Sequence, residues 1–301
     1  MSLLVTGSIA LDTVETPVGS VRDALGGSCV FAAAAARFFT PVRVSSVVGG
    51  DFPNSLQEDL ANLNLDLCGL ERRAESKTFR WWGRYYENMN HRETIEVHQN
   101  VLEESLSEIP HEYLDSRYLL LGHTNPFTQL EIRRCLPTLT WTIADTMAIW
   151  IRSQRRELQL LIEQVDGFLL NSMEAELLTG LSDAKQAARA ILAMGPRFVI
   201  VKLGSHGAVL AHRDGLLRLP AFRVANVADP TGAGDAFAGG LAGYLAAHGP
   251  ITFAGLCVAA RYATVVASFA VESFSLDRLI AATRRDIEQR LRELPTTVGC
   301  L

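Results

Sequence analysis

What most constrains the fold is a rhythm of short apolar runs separated by helical stretches. Leu3–Gly7, Val42–Val48, Tyr118–Gly122, Thr140–Asp145, Gly167–Asn171 and Phe198–Lys202 read as strands. Between them lie helical stretches such as Ser28–Phe39, Pro53–Leu63, Ile151–Gln164 and Ser182–Met194. This alternation implies βαβ units, and hence a doubly wound, mostly parallel α/β sheet covered on both faces. Right-handed crossovers then place the ligand crevice at the carboxyl ends of the strands. No repeat, linker or compositional break divides the 301 residues, so one domain over 1–301 is expected.

One region departs from the rhythm. Lys77–Tyr86 reads KTFRWWGRYY, and Thr94–His98 alternates polar and apolar residues, with the turn-forming Asn88-Met89-Asn90-His91 between them. We expect an antiparallel hairpin and a small β lid built from about 12–25 and 72–100. Along the hairpin, Phe79, Trp81 and Tyr85 share one face, while Arg80, Trp82, Arg84 and Tyr86 share the other. One face is expected over the acceptor and the other against a second subunit, giving a homodimer.

A formal charge of −5 leaves no electrostatic footprint for nucleic acid or an anionic membrane. The five cysteines, Cys29, Cys68, Cys135, Cys257 and Cys300, have neither disulfide nor zinc spacing, which points to reduced thiols in the cytoplasm. The N-terminus runs straight into a strand without a basic region, so no signal peptide is expected. Residues 236–260 lack charge over a membrane-spanning length, but His248-Gly249-Pro250 interrupts them, so two buried helices joined by a turn are expected.

The most informative string is Asp229-Pro230-Thr231-Gly232-Ala233-Gly234-Asp235, followed by an Ala-rich helix. Its glycines allow close approach of a ligand, and the N–H groups of Gly232, Ala233 and Gly234 at a helix start form an anion site. Asp235, in the first turn, stands where the helix dipole favours a carboxylate. A carboxylate beside an anion hole can take the proton of a hydroxyl that attacks a phosphoryl group. The glycine spacing does not fit a dinucleotide fingerprint, and no G-x-x-x-x-G-K-[ST] occurs, so neither a Rossmann nor a Walker site is indicated.

This string resembles the C-terminal signature of the PfkB, or ribokinase-like, kinase family, and similar features follow in order along the whole chain. Gly7-Ser8-Ile9-Ala10-Leu11-Asp12 resembles the first strand and its acceptor-binding aspartate. Gly26-Gly27-Ser28 resembles the di-glycine element between lid and core, and Val48-Gly49-Gly50-Asp51 the G-x-D turn. Asn171-Ser172-Met173-Glu174 is similar to the N-x-x-E element that acts on Mg²⁺ and phosphate through water. Lys202-Leu203-Gly204-Ser205-His206-Gly207 resembles the strand and turn near the nucleotide.

The resemblance implies an ATP-dependent kinase with Asp235 as base and Gly232, Ala233 and Gly234 as the anion hole. Asn171, Glu174, Lys202, Gly204, Gly207 and Thr231 then face the nucleotide, and Asp12, Gly26, Gly27 and Ser28 the acceptor. It further implies Mg²⁺ at Glu174 through water, and K⁺ at Asp229 and the Thr231 carbonyl. Ser28 and Phe31 stand where ribose-specific members carry Lys and Asn, so ribose specificity does not carry over. The aromatic lid and the absence of clustered Arg or Lys near Asp12 favour a neutral sugar or nucleoside. Asp145-Thr146-Met147 is a further candidate for the pocket, while His98, His123 and His206 are assigned no role. Two other readings are a non-catalytic sugar- or nucleotide-binding regulator, which has no need of Asp235, and an oxidoreductase, which lacks its fingerprint.

Overall fold

The six apolar runs form the middle of one large sheet. The computed structural model describes residues 2–89, 92–105 and 108–295. In chain order its strands are β1 (Leu3–Thr6), β2 (Ala10–Thr16), β3 (Gly19–Gly26), β4 (Val42–Gly49), β5 (Asp66–Arg73), β6 (Phe79–Tyr85) and β7 (Arg92–His98). They continue with β8 (Tyr118–Leu121), β9 (Trp141–Asp145), β10 (Gly167–Asn171), β11 (Phe198–Lys202), β12 (Ala208–His212) and β13 (Gly215–Leu219). The large sheet has the order β13-β12-β11-β10-β9-β8-β1-β4-β5, and it is parallel from β5 through β11. Its strands alternate between two cores. Leu3 and Val5 face one and Leu4 the other, as Leu169 and Ile200 oppose Phe168, Leu170, Val199 and Val201.

One core is closed by helices Ser28–Ala36, Ala233–His248, Phe253–Ala270 and Arg284–Glu293, the other by Pro126–Arg134, Arg155–Gln164 and Ala184–Leu192. All nine residues of Ser28–Ala36 are buried. Its alanines let Ala233–His248 approach backbone to backbone, so a Cβ on Gly239 would lie 2.0 Å from the Ala32 carbonyl oxygen. The helix expected over Ile151–Gln164 is two, because Gln154 leaves helical geometry (φ −137°, ψ 47°). Phe253–Ala270 is long and apolar enough to cross a membrane, but it packs within the first core, after the turn at Gly249 (φ 108°). No disulfide joins the described cysteines, and Cys300 lies outside the described residues.

The second sheet has the order β3-β2-β6-β7. β6 and β7 form the expected antiparallel hairpin; of its turn, Asn90 and His91 lie outside the described residues. The lid therefore draws on 10–26 and 79–98. Residues 66–73, expected in part within the lid, instead pair with β4 as an edge of the large sheet. Asp51 anchors the passage into the lid, accepting from the Thr78 N–H (2.7 Å) and hydroxyl (2.8 Å) and from Arg80 (3.1 Å).

Candidate active site

From β1 the strand order runs outward to β4 and β5, and from β8 it runs the opposite way to β13, so a topological switch point lies between β1 and β8. An open α/β sheet binds ligands in the crevice beyond such a point. The residues that follow β1 and β8 are Gly7-Ser8 and Gly122-His123, and the chain brings Asp235 to the same place from helix Ala233–His248.

Gly232 is the N-cap of that helix, in the left-handed region (φ 74°, ψ −4°). Glycine is required there twice over, since a Cβ would also meet the Phe31 ring at 2.3 Å. The first N–H groups of a helix have no intrahelical acceptor. Of the three N–H groups expected to form an anion site, that of Ala233 already donates to the Pro230 carbonyl at 3.3 Å. Gly234 is ordinary helix. A Cβ on it would stand 3.2 Å from Lys202 Nζ, so crowding of that lysine, and no special backbone conformation, is what its hydrogen avoids.

Around Asp235 the strand ends supply a charge cluster. His123 Nδ1 is 3.4 Å from Asp235 Oδ1, and His123 Nε2 is 3.4 Å from Asp145 Oδ1. Asp145 Oδ2 pairs with Lys202 Nζ. Donor atoms of His123, Asp145 and Asp235 lie within 4.8 Å of one another, as a metal site would need. Lys202 already occupies one face of Asp145, however, and with the imidazole it supplies the positive charge. Burial raises Asp235 above the ordinary carboxylate range, against the pull of His123 and Lys202. Burial would raise Asp145 as well, but Lys202 and His123 outweigh it and hold that carboxyl low. For His123, burial disfavours the charged ring, yet Asp235 and Asp145 push it up to about 9.

Asp12, expected at the acceptor end, is 6% exposed at a bulge in the β2–β3 pairing, a distortion that re-aims side chains beside active sites. Burial, then the charges of Asp229 and Asp235, push its carboxyl up to about 8, while the Gly27 N–H and Arg92 pull the other way. A Cβ on Gly26 would fall 2.0 Å from Asp12 Oδ2, and Gly27 has φ 96° with the Ser8 carbonyl against it, so the di-glycine makes room for this carboxylate. Ser28 is buried and engaged with Ser8: each backbone N–H donates to the other's hydroxyl at 3.2 Å.

The lid face over Asp12 carries Trp81, its register partner, and Tyr85, whose register partner is Arg92. Thr231 donates its hydroxyl to Tyr85 at 3.3 Å, and Arg92 lies over the Trp81 ring at 5.1 Å from its centroid. Arg92 is a single cation beside the site, not a cluster, and its charge acts on two carboxylates, Asp12 and Asp235. The opposite face needs no partner to satisfy its charges: Arg80 pairs with Asp23 and Asp51, and Trp82 and Arg84 both donate to Glu15.

Asn171 and Glu174, expected at the nucleotide end, form a capping box, with Asn171 Oδ1 accepting from the Glu174 N–H (2.9 Å) and Glu174 Oε2 from the Asn171 N–H (2.8 Å). Glu174 is buried rather than solvated, and burial, with Asp145 nearby, raises its carboxyl. Gly204 (φ 57°) and Gly207 (φ 90°) shape the turn between β11 and β12, where the Gly207 N–H donates to Gly204 at 3.0 Å. Asp229 is 1% exposed and accepts from the Thr231 N–H at 2.8 Å. His98 lies on the outer edge of the lid beside Glu96, and His206 sits on the β11–β12 turn. His123, assigned no role from the sequence, is in contrast in the middle of the site.

Residues 4–281 match the model of the pfkB family carbohydrate kinases, and the chain belongs to that family. It is 30% identical over 252 residues to a cytidine kinase of Thermococcus kodakarensis, covering 81% of this chain and 88% of that protein. The fold is similar to that of a Burkholderia thailandensis nucleoside kinase in complex with inosine (TM-score 0.80, 23% identity, 97% of each chain). It is similar also to a Cryptococcus neoformans ribokinase in complex with ADP (TM-score 0.77, 19% identity, 96% of this chain and 99% of that one).

Proposed function

We propose that this kinase transfers the γ-phosphoryl group of ATP to the hydroxymethyl group of a neutral sugar or nucleoside, with a nucleoside preferred. The observation that carries the reading is the placement of Asp235: a largely buried carboxylate in the first turn of a helix, close enough to Asp12 for their charges to interact. In the proposed reaction Asp235 accepts the hydroxyl proton as the oxygen bonds to the γ-phosphorus. The bond from phosphorus to the bridging oxygen breaks, and its electron pair leaves on ADP. Gly232 and Gly234 N–H groups and the nearby Lys202 ammonium meet the charge of the moving group.

Mg²⁺ fits Glu174 through a water, because the capping box commits only one of its oxygens, Oε2; when bound, the ion offsets phosphate charge. A monovalent cation would rest on Asp229 and the Thr231 carbonyl, and activity in potassium against N-methylglucamine chloride tests for it. The excess of carboxylates over the single Arg92 supports a neutral acceptor. Trp81 and Tyr85 on the inner lid face, with the likeness to a cytidine kinase, support a nucleoside. A lid-mediated homodimer would pack on the outer face of the hairpin, beside the exposed edge strand β7 with Ile95 and Val97 uncovered; light scattering at micromolar concentration tests it, and a strict monomer refutes it.

The deciding experiment incubates the protein with ATP, Mg²⁺ and a panel of pentoses, hexoses, sugar phosphates and nucleosides. ADP release is followed and products are identified by ³¹P NMR. A phosphomonoester on a nucleoside hydroxymethyl group is expected. Acceptance of sugar phosphates alone refutes the acceptor assignment, and acceptor binding without turnover would favour the regulator.

A further inference from the structure

His123 has no function in the proposed transfer as written, yet it lies in contact with the base. Its place is built from below. Gly122 continues β8 with its N–H on the Thr6 carbonyl at 2.8 Å, and Gln129, fully buried, donates to the carbonyls of Gly122 (2.9 Å) and Asp145 (3.0 Å). The ends of β8 and β9, which carry His123 and Asp145, are thereby held together. Both ring nitrogens then lie within ion-pair distance of carboxylate oxygens, Nδ1 3.4 Å from Asp235 and Nε2 3.4 Å from Asp145, although Nε2 is not aligned for a hydrogen bond. A neutral imidazole would turn a lone pair on one of these anions, whereas opposite charges this close favour the imidazolium.

We propose that His123 is the positioning residue of the Asp235 base: its imidazolium orients the Asp235 carboxylate and keeps it ionised, while Asp145, neutralised by Lys202, holds the ring. This rests on the reading of Asp235 as proton acceptor.

Five charged groups surround the pair. Asp145 and Lys202 come from the ends of β9 and β11, Glu174 from helix Ser172–Thr179, Asp12 from β2, and Arg92 from the lid. Burial drives Asp235 toward its protonated, inactive form, and His123 is the foremost group opposing this. Without the imidazolium, Asp235 would protonate at higher pH, so the acid limb of the kcat profile must move upward. At pH well above the limb the base is ionised regardless, and turnover recovers. A residue that merely filled space would lower activity by the same factor at every pH.

The test replaces His123 by Gln, which keeps a comparable reach without the charge. With ATP and acceptor saturating, the acid limb of His123→Gln is expected about one pH unit higher, roughly a tenfold loss on that limb. The loss shrinks to a few-fold at high pH, with the KM for ATP unchanged. A pH-independent loss, or an unaltered profile, overturns the proposal. A second readout needs no turnover: the ring C–H resonances of the wild-type histidines are titrated by NMR. One should titrate near 9, disappear in His123→Gln and fall in Asp235→Asn. If all titrate near the ordinary value of about 6.5, the imidazolium is absent and the proposal is wrong, even where the variant does not fold. A high-titrating histidine in a protein that phosphorylates nothing would separate the two ideas: the pairing would stand and the kinase reading would fall.

Discussion

Asp12→Asn offers the most searching test of the acceptor end, because it should make the protein more stable and less active together. The folded-state carboxyl is pushed from 3.8 up to about 8, chiefly by burial and then by Asp229 and Asp235. A raised carboxylate value penalises folding: nothing below about pH 4, an increasing penalty as pH rises toward 8, and the full penalty above it. At 1.36 kcal/mol per pH unit the ceiling is about 6 kcal/mol. Asn can keep the acceptor atom that faces the Gly27 N–H but carries no charge. Denaturant unfolding should therefore show Asp12→Asn more stable than wild type at pH 9, by about 2 kcal/mol or more, and nearly equal to it at pH 4. In kinetics, the variant loses the carboxylate proposed to accept from two acceptor hydroxyls, so kcat/KM for the acceptor should fall about 10- to 100-fold, matching roughly 1.5–3 kcal/mol. The KM for ATP should not move. Wild-type acceptor affinity should improve as pH rises toward 8, and this trend should vanish in the variant. A stability difference of the same size at pH 4 and pH 9 would refute the reasoning, since it would show that the charge is not what the burial opposes.

Asp235→Asn should lower kcat by about 10²–10⁴ with ATP affinity retained, measured by steady-state turnover and nucleotide titration; near-normal turnover excludes it as base. Gly234→Val should abolish transfer in a folded protein by displacing Lys202, whose Nζ would be 3.2 Å from the new Cβ; thermal melting and ADP release check the two halves. Gly26→Ala would put a Cβ 2.0 Å from Asp12 Oδ2. It should cut acceptor kcat/KM at least about tenfold while sparing ATP binding. Gly232→Ala, strained at φ 74° and pressed on Phe31, should destabilise the fold by about 1–3 kcal/mol in denaturant unfolding.

The parallel half of the large sheet was legible because strands buried on both faces read as unbroken apolar runs, as in β8 (YLLL) and β11 (FVIVK). β12 and β13 went unread. Their pairing is antiparallel and follows a turn whose glycines drew attention as ligand residues. β5, with Glu71, Arg72 and Arg73 at its end, looks polar because it is an edge. Within the site, motifs contiguous in sequence were visible: the Gly232–Asp235 loop, the di-glycine and the capping box. His123 and Arg92 were not, since the first meets Asp145 and Asp235 across 22 and 112 positions and the second reaches the cleft only after the hairpin folds over. The signal for His123 was nevertheless present: it stands just past the carboxyl end of a recognised strand, where such sheets bind ligands.

The backbone contact between Ser28–Ala36 and Ala233–His248 has a consequence for how specificity in this chain can change. One helix begins just after the di-glycine beside Asp12; the other begins at Gly232 and the proposed anion hole. With Gly239 against Ala32 and Gly243 2.8 Å from Ala36 at its would-be Cβ, neither can slide without the other. On the proposed reading, acceptor seat and phosphoryl seat are thus jaws cut from one block, and altering either alone would put the reacting atoms out of true. The lid is a separate, replaceable plate. Redesign toward a new acceptor should begin on β6 and β7, with Trp81, Tyr85 and Arg92, and leave the alanine-rich floor untouched.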